Sequence, residues 1–195
     1  MNVSYVKRYE LSNIADMWIK SFKYNFYSII GKNLVLEYLK IAFEANKKYF
    51  FKITYNNKIS GFIVYGNDFI INQKLFKIFF LSIIGAIIKN IFFLKFFRVI
   101  YIFQILFYLQ NKNNFKHISK NSLELITICV EKKRGLGTTL LRYSIQQVLK
   151  NPSVNKIYVK TAYPSKKTYR FYKKNGFKFY KITFNSKWQI LSFIK

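Results

Sequence analysis

The residues Leu123 to Val130, then Glu131 and the run Lys132-Lys133-Arg134-Gly135-Leu136-Gly137-Thr138, hold the clearest chemistry in the chain. An apolar stretch with β-branched residues reads as a strand, Lys132 to Gly137 as a tight loop, and Thr138 to Leu149 as an amphipathic helix. Two glycines in the pattern Gly-x-Gly let backbone N–H groups approach an anion with no Cβ in the way, and the helix behind them turns its positive dipole end to the same point. Lys132, Lys133 and Arg134 add charge, and the Thr138 hydroxyl adds a donor. The stretch therefore predicts a phosphate cradle. It is not a dinucleotide fingerprint, because Leu140 stands where a third glycine belongs and Asn155 and Lys156 where an acid should follow. Nor is it a Walker loop, since Gly137 is followed by Thr138 rather than by Lys.

The pattern Val-x-x-x-x-x-Gly-x-Gly with a basic first loop position resembles motif A of the GNAT N-acetyltransferase superfamily, whose loop reads Gln/Arg-x-x-Gly-x-Gly/Ala. Lys132 stands where Gln or Arg is usual, which keeps the charge but changes the donor geometry. A second segment, Ser165-Lys-Lys-Thr-Tyr-Arg-Phe-Tyr172-Lys-Lys-Asn-Gly176-Phe177, resembles motif B of the same superfamily. Tyr172, Gly176 and Phe177 match that motif, while Ser165 and Thr168 replace its Asn and Ala. Gly176 also reads as the glycine just past a helix end, with Phe177 opening the next strand.

The resemblance implies an α/β (α+β) GNAT fold: a mixed, mainly antiparallel sheet of six to seven strands flanked by helices and splayed where coenzyme enters. It implies acetyl-coenzyme A as acyl donor and a primary amine as acceptor, with no metal. By analogy with the family, coenzyme would be held by Lys132, Lys133, Arg134, Gly135, Leu136, Gly137 and Thr138. Ile128, Cys129 and Val130 at the strand end and Ser165 of the second motif would also contact it. Acetyl transfer needs a group to take the amine proton and one to serve the departing thiolate. Only Glu124 and Glu131 follow Asp68 among the acids, and Glu131 lies in the phosphate loop, so Glu124 is the candidate base. An edge-strand carboxylate paired with a Lys is the alternative. Tyr172 is the candidate acid, against a packing tyrosine among the 16 of the chain. A backbone N–H near Val130 would polarise the thioester carbonyl if a bulge or splay frees it. Strand alternation would put Glu124, Ile126 and Ile128 on one face and Leu125, Thr127 and Cys129 on the other.

Those residues need a scaffold, and the rest of the chain supplies its outline. Val3 to Tyr9 reads as a first strand, followed by a helix capped by Ser12 or Asn13 with Ile14, Trp18 and Phe22 on one face. A second helix is expected from about Asn33 to Asn46. Between them, the rings of Phe22 to Tyr27 suit either a core or a sugar acceptor. Tyr49 to Tyr55 and Ile59 to Gly66 are strands joined by an Asn56-Asn57-Lys58 turn. After Phe177, Phe179, Ile182, Phe184, Trp188 and Ile190 fit two final strands.

The segment Asp68 to about Gln110 interrupts this order as an insert. It is rich in Phe, Ile and Leu, punctuated by Lys74, Lys77, Lys89, Lys95 and Arg98. Its longest uncharged run, Ile78 to Ile88, has 11 residues, short of the roughly 20 that cross a bilayer. It reads either as a helical hairpin on an anionic membrane surface or as a lid or homodimer interface. The insert is similar to one in GNAT proteins found with cell-surface polysaccharide genes, which implies an amino sugar as acceptor. A protein N-terminus or Lys is the competing acceptor.

The 195 residues suggest a single N-acetyltransferase domain, 1–195 with the insert 68–110. A balance of 34 basic to 7 acidic residues, net +27, favours anionic partners or reflects a composition bias. A non-catalytic basic module on membrane or nucleic acid is the rival class, although no nucleic-acid motif is present. One cysteine and no signal pattern point to the cytoplasm, with a peripheral place on the inner membrane face as an option. His117 is the sole histidine, in a polar stretch, and Cys129 has no evident His partner.

Overall fold

The computed structural model describes residues 1–23, 25–92, 121–132, 135–162, 165–183 and 188–194. Contacts gather 1–6, 45–67 and 114–195 into one compact unit and 7–44 with 68–113 into a second.

The first unit is a seven-stranded sheet. Its strands are β1 (Asn2–Tyr5), β2 (Phe50–Tyr55), β3 (Lys58–Gly66), β4 (Ser122–Val130), β5 (Lys156–Ala162), β6 (Lys178–Thr183) and β7 (Trp188–Ile194). They lie in the order β1-β2-β3-β4-β5-β7-β6. Every neighbouring pair is antiparallel except β4 with β5, so the mixed, mainly antiparallel sheet of the resemblance is present. The β2–β3 hairpin turns through Asn56 and Asn57, both at positive φ (48° and 58°). That is the conformation a two-residue turn needs to match strand twist, and Asn tolerates it best after Gly.

The longest helix of this unit, Leu136–Leu149, carries Leu136, Leu140, Leu141, Ile145 and Val148 on one face. These pack on Phe51, Ile53, Ile63, Tyr65, Leu125, Ile157, Val159 and Leu191 of the sheet. Each such side chain contributes about 1.5–3 kcal/mol on burial, so this layer is the main reason the sheet holds its shape. Tyr172 and Phe177, from the second motif, belong to the same core.

The second unit is helical and comprises α1 (Leu11–Ser21), α2 (Phe26–Ile30), α3 (Lys32–Asn46) and α4 (Asp68–Phe92), α3 ending two residues into the sheet unit. With them numbered, the sheet unit's helices are α5 (Leu136–Leu149) and α6 (Lys166–Lys174). The first strand ends at Tyr5 rather than Tyr9, because Glu10 accepts the Lys7 N–H at 2.8 Å and winds Arg8–Glu10 into a 3₁₀ turn. That turn runs straight into α1, so Ser12 and Asn13 lie inside the helix instead of capping it. Between α1 and α3, Asn25 caps the short α2 by accepting the Tyr27 N–H at 3.0 Å. Two rings of the aromatic stretch there join a core: Phe22 and Tyr27 lie edge-on to buried Trp18 at 5.6 and 5.9 Å, and Tyr27 packs tilted against Tyr38 at 4.8 Å.

The insert begins as α4, whose regular path breaks at Phe79 (φ −110°, ψ 16°). Its first turns are fixed by Tyr27 donating to Asn72 at 2.6 Å and by Tyr38 donating to Asp68. Ile71 and Leu75 turn inward, while Ile78, Phe80, Leu81 and Ile88 are 64%, 59%, 80% and 62% exposed. No helix among the described residues is long and apolar enough to cross a membrane. The remainder of the insert, with Lys95 and Arg98, lies outside the described residues, as do His117 and Phe184.

Candidate functional site

Where β4 meets β5 the sheet divides. The parallel ladder runs from Ser122↔Lys156 to Leu125↔Val159 and stops, although β4 continues to Val130 and β5 to Ala162. β5 remains paired with β7 to its end, so the two strands part as the arms of a fork. Glu131 donates its N–H to Ser60 of β3 at 2.8 Å. Because donors alternate along an antiparallel strand, the N–H groups of Val130 and Ile128 then point away from β3, into the side β5 has left. The splay expected near Val130 is therefore present. The bulge is elsewhere: Tyr65 pairs Leu125 and Val64 pairs Thr127, leaving Ile126 as the extra residue.

That bulge overturns the expected alternation. The extra residue shifts the pleat by one, so Leu123 and Leu125 before it and Ile128 and Val130 after it all join the core beneath α5. Glu124 and Ile128 thus do not share a face, nor do Leu125 and Cys129. Cys129 itself is buried at 4% exposure.

The glycine loop also differs from the sequence reading in one respect. The helix starts at Leu136 rather than Thr138, with Gly135 in its N-cap position at φ +88°. Thr139 donates to the Gly135 carbonyl at 3.0 Å, which leaves the N–H groups of Leu136, Gly137 and Thr138 without partners inside the helix. No acidic residue occupies this first turn, so nothing there opposes an anion. Lys132 is exposed, and Lys133 and Arg134 lie outside the described residues.

The two glycines stand in different surroundings. Gly135 is exposed, and nothing lies within 4 Å of where its Cβ would stand; its need is the left-handed backbone. Gly137 is buried, with the Phe171 ring of α6 at 3.4 Å and Val130 at 3.5 Å from a built Cβ, so a methyl group there would meet both at ordinary contact. Gly135→Ala is expected to cost about 1–2 kcal/mol through the positive φ, whereas Gly137→Ala fits at ordinary contact distance and costs under about 1 kcal/mol. Urea titration of the two variants checks this order, and equal losses would contradict it.

Glu124, the candidate base, is 4% exposed and sits one residue before the fork. Tyr158, its register partner on β5, donates to Oε2 at 3.1 Å, and Lys160 Nζ lies 2.7 Å from Oε1. The carboxylate is paired with a lysine, as the alternative reading had it, but in the sheet interior rather than at an exposed edge. Tyr158 and Lys160 were not singled out from sequence; a Tyr-x-Lys on a strand gives no hint of its partner until the parallel register is known.

Tyr172 lies on the other face of the sheet. Its ring is 4% exposed and meets Phe171 and Phe177 edge-on, both at 5.2 Å. Burial pushes the phenol well above its ordinary value of about 10. Neighbouring Tyr65 is pushed up too, first by burial and then by the nearness of Tyr172, against the lowering effect of its 2.6 Å hydrogen bond with Ser144. Among the described residues the Tyr172 hydroxyl takes no protein partner. Ser165 stands at the start of α6, and its hydroxyl donates to Thr168 Oγ1 at 2.9 Å, so the two residues that replace the motif's Asn and Ala bond to each other. Among the described residues no three His, Cys, Asp or Glu side chains gather as metal ligands would.

A family model described as the acetyltransferase (GNAT) family matches residues 105–177. No curated protein matches the chain. Among solved structures, the ribosomal-protein-alanine N-acetyltransferase from Brucella melitensis is similar over 100% of this chain and 100% of its own, at 12% identity and a TM-score of 0.63. The PaiA N-acetyltransferase from Thermoplasma acidophilum, solved in complex with coenzyme A, is similar over 100% and 98%, at 14% identity and a TM-score of 0.59. The ribosomal-protein-S18-alanine N-acetyltransferase from Escherichia coli covers 99% and 92%, at 12% identity and a TM-score of 0.58. At such identities the likeness is one of fold. The family's own sequence pattern runs from before β4 through the glycine loop and α6 to Phe177, so over that segment the chain is similar to the GNAT acetyltransferase family, within a fold that the solved N-acetyltransferases share.

Proposed function

We propose that the protein transfers an acetyl group from acetyl-coenzyme A to a primary amine by direct attack, with the chain acting as one N-acetyltransferase domain. The observation that carries this is the fork. Glu124 and Tyr172 lie on opposite faces of the sheet, and the parting of β4 from β5 is where the two faces communicate. The start of α5 suits a diphosphate: Gly135 leaves open space where a side chain would stand, and three N–H groups of the first helical turn have no partner inside the helix. When bound, the coenzyme supplies a thioester whose acyl carbon is transferred and a thiol that leaves.

Within that reading the chain's own residues do the following. Ile128 and Val130 aim backbone N–H groups into the fork, where a reacting carbonyl would be polarised. Glu124 takes the proton of the attacking nitrogen as the C–N bond forms and the C–S bond breaks. Tyr172, kept protonated by burial, serves the sulfur as a hydrogen-bond donor; complete transfer of so tightly held a proton to a thiolate would run uphill. Amine plus thioester gives amide plus thiol, so the proton held by Glu124 returns to the thiol through solvent and the reaction balances.

Isothermal titration with acetyl-coenzyme A is the test. Saturable binding is expected, and none at millimolar ligand overturns the reading. As acceptor we propose an amino sugar, from the likeness of the insert. Turnover with amino-sugar nucleotides in an amine screen supports it, and turnover with N-terminal-alanine peptides instead assigns a protein acceptor, the activity named for two of the structural neighbours.

The exposed side chains of α4 favour an added role at an anionic membrane, on its cytoplasmic face. Leu81 and Ile88 are among its most exposed apolar groups, and Lys74 and Lys77 lie on the same helix, an arrangement that places aliphatic groups in the acyl boundary and ammonium groups among headgroups. Binding to phosphatidylglycerol vesicles should exceed binding to phosphatidylcholine vesicles and fall about tenfold or more in Leu81→Asp/Ile88→Asp. Binding that ignores both changes counts against it, and a dimer lost in the same variant assigns the face to a second copy.

A further inference from the structure

We propose that Lys160 is the residue that positions Glu124 for proton transfer, an inference that rests on the acetyl-transfer reading. Three observations converge on it. The first is placement: Glu124 stands just before the last rung of the β4–β5 ladder, and Lys160 is the first residue of β5 beyond it. Their contact therefore spans the base of the fork on the face opposite α5. The second is geometry. Lys160 holds one carboxylate oxygen at 2.7 Å and Tyr158 the other at 3.1 Å, so the carboxylate can neither rotate nor leave the fork.

The third observation is burial. The side chains of the pair are 11% and 4% exposed, whereas those of Arg8–Glu44 are 73% and 59% and those of Lys32–Asp16 are 44% and 58% exposed. A buried pair gains little stability over apolar side chains of the same volume, because both ions lose their hydration. What it does supply is a carboxylate held in one orientation, and removing the cation would leave that carboxylate buried without a counter-charge. Tyr158 shares the aiming but not the charge, so the two partners are separable by substitution.

The experiment uses the full chain and two readouts. With [¹³Cδ]glutamate the five glutamates of the sequence give five carboxyl resonances, and Glu124→Gln identifies its own by removing it. In Lys160→Met the Glu124 resonance at neutral pH is expected to move toward the position of a protonated carboxyl. The kcat is expected to fall about 10²-fold, the lower end of what a placed base supplies, while the acetyl-coenzyme A Kd changes less than about threefold. Lys160→Arg should restore most of the kcat. Should Lys160→Met fail to fold, Lys160→Gln, which keeps a donor without the charge, gives the same readouts. An unmoved resonance, a wild-type kcat, or a loss confined to coenzyme affinity overturns the proposal. If the wild-type protein neither binds acetyl-coenzyme A nor acetylates any amine, the functional reading fails by that result, and the Glu124 resonance alone then decides whether Lys160 sets the state of the carboxylate.

Discussion

Tyr172→Phe is expected to fold within about 1 kcal/mol of wild type and to turn over about 10²–10³-fold more slowly. The two halves of this expectation come from different parts of one side chain. The ring is core: it packs edge-on against Phe171 and Phe177 and belongs to the cluster beneath α5. Phenylalanine keeps all of that, whereas Tyr172→Ala should cost about 3–5 kcal/mol through the cavity it leaves. The hydroxyl takes no partner among the described residues, so its removal breaks no native hydrogen bond. If it donates to the sulfur as the C–S bond breaks, its loss resembles the loss of one donor to a developing anion, which costs about 10²–10³ in kcat. Acetyl-coenzyme A affinity should hardly change, since the phosphate loop lies at the start of α5. Steady-state kinetics and calorimetry on the single variant are sufficient, and wild-type turnover would remove Tyr172 from the chemistry.

That experiment is possible because the second motif could be read from sequence as a unit, and the way the chain yields or hides its parts follows from range. The β4 strand, the glycine loop and α5 are local: apolar run, Gly-x-Gly and 3.6-residue periodicity are written in consecutive residues, and so is the Asn56-Asn57 turn. Boundaries blur where a side chain several positions away decides them. Glu10 reaching back to the Lys7 N–H ends β1 early, and Gly135 in the left-handed conformation lets α5 start two residues sooner than Gly137 suggested. Pairing is harder still. The Ile126 bulge exists only relative to β3, yet it decides which of the β4 side chains accompany Glu124. The Lys160–Glu124 contact depends on a parallel register between strands more than 30 residues apart, which no periodicity in either strand records. Aromatics gave the weakest signal: composition favours a core for Phe22 and Tyr27 only modestly over a ligand, and packing against Trp18 assigned them to the core.

The wild type is expected to lose more stability in alkali than a variant without its two buried phenols beneath α5, and those phenols give the sign and the size of the difference. Tyr65 is fully buried and Tyr172 nearly so, and burial pushes both phenols above the ordinary value of about 10. The folded state therefore keeps two protons that the unfolded chain releases above pH 10. Stability from this source is fully present below about pH 10 and is lost as pH rises toward the folded-state values, because the unfolded state binds fewer protons there. Each phenol contributes about 1.4 kcal/mol of loss between pH 9 and 11, so the pair contributes about 2.7 kcal/mol. Lysine deprotonation acts over the same range by relieving repulsion in a chain of net charge +27, and the quantity to measure is thus a difference between variants. In Tyr65→Phe/Tyr172→Phe both phenols are gone, while Ser144 keeps its 2.9 Å bond to the Leu141 carbonyl and the core keeps its rings. Urea unfolding at pH 9 and at pH 11 should show the wild type losing about 2.7 kcal/mol more than the double variant across that interval. Parallel losses in the two proteins would mean that these hydroxyls reach water in the folded state, and the case for Tyr172 as a donor that stays protonated would go with it.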